Sequence, residues 1–332
     1  MSDTSTALEI RVQILERLGG LPEPRVTNEE WLYMLTEETR HSIAIEGFFT
    51  STARLKNVIE KNLKTGKHSH EILHYFYTAQ FLYGLAYENW KEGIFHFTPA
   101  LIRQTNRALG FSGELRKGEV HIAGARITPP SAFTVKDWIN LYADFTKEHL
   151  TIGVPFQSFL RNLAIQHALL EAIHPFDDGN GRTGRILLNY ILVQSGLPPV
   201  VIKGLSEKDR KKYYEALEEA DSSIKDVLQE TLSPDPKKVL SAVQKMKTDK
   251  LETILASAIR ESIDKLIIDL AQKAQLLQEK LSPLPNVAQK MGYSPSSMRK
   301  LVSRGQFIAT KKGKEWFTSP ELHISRFGQK AL

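Results

Sequence analysis

The twelve residues His174–Arg185 read HPFDDGNGRTGR and lie between two apolar runs of helical period, Pro155–Ile173 and Arg182–Gln194. This limits the fold strongly. Two core helices must be joined by a loop that carries an imidazole, two carboxylates, a Gly-Asn-Gly turn and two arginines. The second helix begins near Gly181. Its first amides lack intrahelical partners, and its dipole leaves partial positive charge there, so this end suits an anion. Gly179 and Gly181 admit a close backbone approach, and Asn180 offers a side-chain amide. Arg182 and Arg185 are three apart and share a helix face, from which their forks can clamp successive phosphates. A polyphosphate held this way needs a divalent counter-ion such as Mg²⁺, for which Asp177 and Asp178 are the neighbouring carboxylates. His174 titrates near neutrality and is a candidate general base for an incoming hydroxyl. Each piece alone has an ordinary structural reading. Their conjunction in fixed order points to chemistry on a nucleotide.

The rest of the chain reads as mostly helical. Residues 1–30, with Gly19-Gly20 and LPEPRVT, read as an extended arm, and helices are expected at 29–45, 51–63, 69–90 and 98–108. Apolar side chains in the third recur at three and four spacing (Ile72, Tyr75, Phe76, Ala79, Leu82, Tyr83, Ala86), which marks a core-facing helix. Gly113–Pro130 breaks the pattern and reads as a short β-hairpin. Helical period resumes at 135–149, 155–173, 182–194 and 207–219, and returns as a long charged region over 237–280, of one helix or two. From Pro283 two short helices and a hairpin over 306–319, with Lys311, Lys312, Gly313 and Lys314 at its tip, give the order of a winged helix-turn-helix. The expected organisation is a helical region 1–110, a core 111–230, a helical linker 231–282 and a winged-helix-like domain 283–332.

The HPF window resembles the signature of the Fic family, HPF-x-[DE]-GNGR-x-x-R, at every specified position. The resemblance implies an all-α Fic-type core with a β-hairpin flap. It also implies transfer of AMP from ATP to a Ser, Thr or Tyr hydroxyl of a target protein, the enzyme itself included, and in some relatives removal of AMP. His174 would be the base, and Asp178, at the family's acidic position, the Mg²⁺ ligand. Gly179, Asn180, Gly181, Arg182, Thr183, Gly184 and Arg185 would hold the phosphates, with Asn180 on the α-phosphate, Arg182 on the β- and Arg185 on the γ-phosphate. The flap would sit at 113–130, with Gly124, Ala125, Arg126 and Ile127 facing nucleotide and target; its edge would pair with an extended peptide. Lys212–Leu217 resembles an element whose aromatic pair lines the adenine pocket. Tyr213 and Tyr214 point about 100° apart on a helix, so one packs inward and the other, favoured as Tyr214, meets the base. Relatives often carry Asn where this chain has Asp221.

Upstream, Ser42-Ile-Ala-Ile-Glu46-Gly47 resembles the family's inhibitory motif, [ST]-x-x-x-E-[GN]. Glu46 would pair with Arg185 and occupy the place of the γ-phosphate. The plain alternative is a helix end capped by Gly47 with Glu46 in solvent.

Charge separates two modules. The formal net charge is +6, yet from Pro283 onward nine Lys/Arg face two Asp/Glu, so the remainder is close to neutral. The basic tail 283–332 makes DNA a candidate partner, and a DNA-binding regulator with a nucleotide-sensing core is the alternative function. A second copy of the chain is a further candidate partner. With no cysteine, disulfides and thiolate metal sites are excluded. The apolar run Ile186–Ile202 is interrupted by Asn189, Gln194, Ser195, Gly196, Pro198 and Pro199, a poor membrane span. The N-terminus lacks the pattern of a signal peptide. No membrane association and a cytoplasmic location are therefore expected.

Overall fold

The computed structural model describes residues 2–25, 27–122, 124–151, 154–230 and 233–325. Among them the chain divides into two compact units: residues 24–195 with 201–255, and residues 1–23 with 196–200 and 256–332. The linear partition into four segments is thus cut differently in space.

The first unit is helical. In chain order it holds α2 (Glu29–Ile45), α3 (Thr52–Glu60), α4 (Ser69–Lys91), α5 (Pro99–Ala108), α6 (Val135–His149), α7 (Phe156–Ile173), α8 (Asn180–Gln194), α9 (Glu207–Asp221), α10 (Lys225–Leu228), α11 (Pro236–Gln244) and the start of α12 (Asp249–Lys273). Several begin on caps written in the sequence. Asn28 accepts from the amides of Glu30 and Trp31, Thr98 from Leu101 and Ser206 from Asp209. At α8 every residue from Ile186 to Val193 is buried, as a helix apolar all round requires. It packs against α2, α4, α5 and α7. The HPF loop therefore emerges at the centre of the unit.

One expectation changes here, and one open choice is decided. Residues 113–130 form no paired strands among those described. The buried Arg116 ties the segment instead: its guanidinium donates to the carbonyls of His174 (2.9 Å), Gly118 (3.1 Å) and Pro130. Pro129 and Pro130 have no N–H to give a ladder. The region 237–280 is two helices, α11 and α12, separated at Lys245–Thr248.

The second unit contains α1 (Ser2–Arg17), α13 (Leu284–Lys290), α14 (Pro295–Ser303) and strands β1 (Ser282–Pro283), β2 (Thr310–Lys312) and β3 (Glu315–Thr318) in an antiparallel sheet of order β1-β3-β2. Leu284, Val287, Ala288, Met298, Val302, Phe307 and Ala309 form its small core. The expected extended arm is in fact the helix α1. Leu8, Ile14 and Leu15 are buried along it, and between them lies Arg11, fully buried and paired with Asp264 at 2.5 Å. A charged residue inside the apolar stripe hid the helical period. Among the described residues no helix is long and apolar enough to cross a membrane.

Candidate active site

The loop between α7 and α8 is closed by its own residues. His174 caps α7 in the left-handed region (φ 49°), which costs a non-glycine residue energy. Arg116 Nε bonds its carbonyl, and the Arg116 amide bonds the Pro175 carbonyl at 2.9 Å. Asn180 Oδ1 accepts from the Phe176 amide (2.9 Å) while its Nδ2 donates to the Phe176 carbonyl (2.8 Å). Asn180 was expected to donate to a phosphate; here its carboxamide closes the loop. Asn106 adds a strut from α5, with Nδ2 3.0 Å from the Asp178 carbonyl and Oδ1 accepting from the Gly113 amide.

His174 Nδ1 lies 3.3 Å from the Glu171 carbonyl. With the proton on Nδ1, that contact leaves Nε2 as the basic nitrogen. Burial, the largest cause, lowers the imidazole pKa, and a backbone hydrogen bond to Glu171 opposes it. The ring is therefore neutral at pH 7 and able to accept a proton.

Gly179 begins α8 at φ 79°, and a Cβ there would collide with the Phe111 ring. A Cβ on Gly181 would lie 2.7 Å from Glu46 Oε1. The amides of the first turn of α8 have no intrahelical partners. Arg182 is buried with its guanidinium 4.6 Å from the Phe111 ring centroid and 5.5 Å from that of Phe48. Its Nε is buried without a hydrogen-bond partner, an unmet donor next to the helix start. Asp178 is exposed; Oδ1 accepts from the Gly179 amide and lies 3.5 Å from Arg182. No group of three or more His, Asp or Glu able to hold a metal occurs among the described residues. A divalent ion at Asp178 would therefore need oxygens from a bound phosphate, and one exposed carboxylate facing a helix start fits that requirement.

Arg185, on the same face one turn on, is 3 % exposed and grips α2. It donates to Glu46 Oε1 (2.5 Å), Ser42 Oγ (2.7 Å) and the Ser42 carbonyl (3.2 Å). Burial alone would lower its pKa; Glu46, with Tyr213, Tyr75 and Glu171, turns the net shift upward. Gly47 does cap α2, at φ 86°, yet Glu46 is not left to solvent.

A cavity of about 980 Å³ is lined by Gly124, Ala125, Arg126, Ile127 and Tyr214, and also by Glu171 and Asp221. Tyr214 is half exposed and donates to the Ile45 carbonyl (3.1 Å), next to Glu46. Tyr213 points inward, its hydroxyl 2.6 Å from His167 Nε2. Burial drives the His167 pKa down to about 3, so that ring stays neutral. Glu171, Asp221, Asn106, Arg116 and His167 were not singled out as site residues. Glu171 stands three residues before His174 and Asp221 seven after Tyr214, where relatives often carry Asn, spacings that could have flagged both; Asn106, Arg116 and His167 have no comparable local signal. Burial raises the carboxyls of Glu171 to about 7 and Asp221 to about 8.

The unit thus places the donors at the start of its central helix beside a neutral imidazole. Residues 96–192 match the Fic/DOC family. It is 38 % identical over 200 residues to a probable protein adenylyltransferase of Aquifex aeolicus, covering 58 % of this chain and 57 % of that one. It is 28 % identical over 186 residues to the protein adenylyltransferase fic-1 of Caenorhabditis elegans, covering 53 % and 35 %. The chain thus spans only about a third to just over half of these relatives. In fold it is similar to a Fic-domain signalling protein of Bacteroides thetaiotaomicron (TM-score 0.61, 19 % identity, 82 % of this chain and all of that one). It is also similar to C. elegans Fic-1 (TM-score 0.57, 19 % identity, 82 % and 73 %).

Proposed function

We propose that this protein is a self-inhibited protein adenylyltransferase that moves AMP from ATP to a Ser, Thr or Tyr hydroxyl of a target protein. The observation that carries the reading is the start of α8: unpartnered amides, the unmet Arg182 Nε and a neutral His174 with Nδ1 held by a carbonyl. His174 Nε2 takes the hydroxyl proton as the hydroxyl oxygen bonds to the α-phosphorus. The bond from that phosphorus to the β-bridging oxygen breaks, and pyrophosphate leaves. The α8 amides and Arg182 hold the charge that builds on the phosphates, so positioning and electrostatics do most of the work. Asp178 would hold Mg²⁺, which neutralises polyphosphate charge when bound. Tyr214 and residues 124–127 line the space for the base and for the target segment. Glu46 is the inhibitor. Its carboxylate occupies Arg185, the cation expected to receive the γ-phosphate, and releasing a buried arginine needs an equally anionic replacement. Some relatives use this glutamate in removing AMP, and Glu46 would serve the same use here.

Labelled ATP tests both halves. Glu46→Gly is expected to raise AMP incorporation, self-modification included, by about tenfold or more, the equivalent of roughly 1.4 kcal/mol of relief. Adding His174→Ala should then remove it by about 10²- to 10⁴-fold while nucleotide binding by calorimetry persists. Incorporation by Glu46→Gly no higher than the parent's would end the inhibitory reading, and transfer surviving without His174 would remove it as base.

A further inference from the structure

We propose that the face made by α14 and the β2–β3 ribbon is a docking surface for duplex DNA. The proposal does not depend on the transferase reading.

The local fold decides which residues are free. Met298 and Val302, one turn apart, are the buried residues of α14 and join the small core with Val287, Ala288, Phe307 and Ala309. Helical geometry then sends Ser296, Arg299, Lys300, Ser303 and Arg304 away from that core, and all five are exposed. The ribbon leaves the same core through Trp316, which packs against it. Lys311, Lys312 and Lys314 are exposed at its turn, where Gly313 takes φ 63°. Lys311 and Lys312 lie over the Trp316 and Phe317 rings, at 6.0 and 5.3 Å from the centroids. Those aromatic floors fix the lysine stems while the ammonium groups stay in water.

The charges of this face are unbalanced, with six cations and one neighbouring acid. Lys147, Lys211, Lys238, Lys250 and Lys265 each lie within 4 Å of a carboxylate. Arg299, Lys300, Arg304, Lys311, Lys312 and Lys314 form no ion pair among the described residues. Of the two acids in this stretch, Glu321 accepts backbone amides of Gln278 and Glu279, and Glu315 is the one acid beside the tip. Six exposed cations on two elements that pack on one small core raise the local positive potential, which a polyanion would neutralise.

Shape selects the polyanion. α14 is the second helix of a helix–turn–helix, nine residues long with an outer face of hydroxyls and cations. Such a helix enters a B-form major groove while an adjacent ribbon meets the flanking backbone. An anionic membrane would be expected to engage apolar side chains for insertion, and the outer face of α14 has none.

The test is fluorescence anisotropy of the full-length chain with a 30-base-pair duplex of arbitrary sequence. Six phosphate contacts predict a slope of about −5 in log affinity against log salt, and about 10³-fold weaker binding at 200 than at 50 mM salt. Replacing Arg299, Lys300 and Arg304 by Ala, or Lys311, Lys312 and Lys314 by Ala, should each cut the slope by about 3. All six are exposed, and a melting curve matching the parent's verifies that each variant folds. Absence of duplex binding at 50 mM salt in the unmutated chain would overturn the proposal. So would slopes unchanged in both folded variants, or tighter binding to single-stranded RNA or to phosphatidylserine vesicles than to the duplex.

Discussion

Each unit contains one buried arginine paired with a carboxylate at 2.5 Å, and the two pairs differ in how they are closed. Arg11 and Asp264 have side-chain exposures of 0 % and 5 %. The remaining donors of Arg11 go to the carbonyls of Ala7, Gly305 and Phe307, and Asp264 also accepts from the Ala309 amide. Arg185 is equally buried, but Glu46 keeps 29 % exposure at the end of α2. A pair closed on both sides fixes packing, because either charge left alone would be stranded away from water. A pair closed on one side lets its carboxylate leave for solvent while the arginine waits for another anion.

The sharpest way to break this comparison is to remove each carboxylate. Asp264→Ala should cost about 3–5 kcal/mol of stability. Glu46→Ala should cost less, about 1–2 kcal/mol, because Arg185 keeps Ser42 and the space Glu46 vacates is open to water, which can take up the freed donor. Urea denaturation of the two variants measures both, and equal losses would mean the pairs are not different in kind. Ser42→Ala deletes one bond to a charged group, worth about 1.5 kcal/mol. It should raise AMP transfer, but by less than Glu46→Gly does; a rise as large would shift the brake from the carboxylate to the hydroxyl. The smallest effect is on pH. Burial keeps the His174 pKa below its usual 6.5. The base stays neutral as pH falls through 6.5, and transfer is lost only at lower pH. The Glu46 charge raises that pKa, so the acid limb of a rate–pH profile should move lower still in Glu46→Ala. A limb centred above 6.5 would contradict the burial argument.

Much of the fold was legible because its signals are local. An apolar period of three and four marked α4, and the expected spans 29–45, 69–90, 98–108 and 207–219 lie within a few residues of α2, α4, α5 and α9. The segment 113–130 was misread because small and β-branched residues between glycines look alike whether they pair as strands or are tied by a distant side chain. Arg116 supplies that tie from within the segment, but its acceptor at His174 is 58 residues away. The helix α1 was missed for a related reason, since Arg11 is apolar in burial and charged in sequence.

The same division holds at the site. That His174, Gly179, Gly181, Arg182 and Arg185 share one loop and one helix turn could be read from the chain, because short-range geometry follows from residue type and spacing. Which tyrosine faces the cavity, how Asn180 spends its carboxamide, and that Glu171 and Asp221 are buried carboxyls beside that space were settled only by packing. Burial and partner choice depend on elements distant in sequence meeting in space, and it is that meeting, through desolvation and unpaired donors, that sets the protonation state and charge of each group.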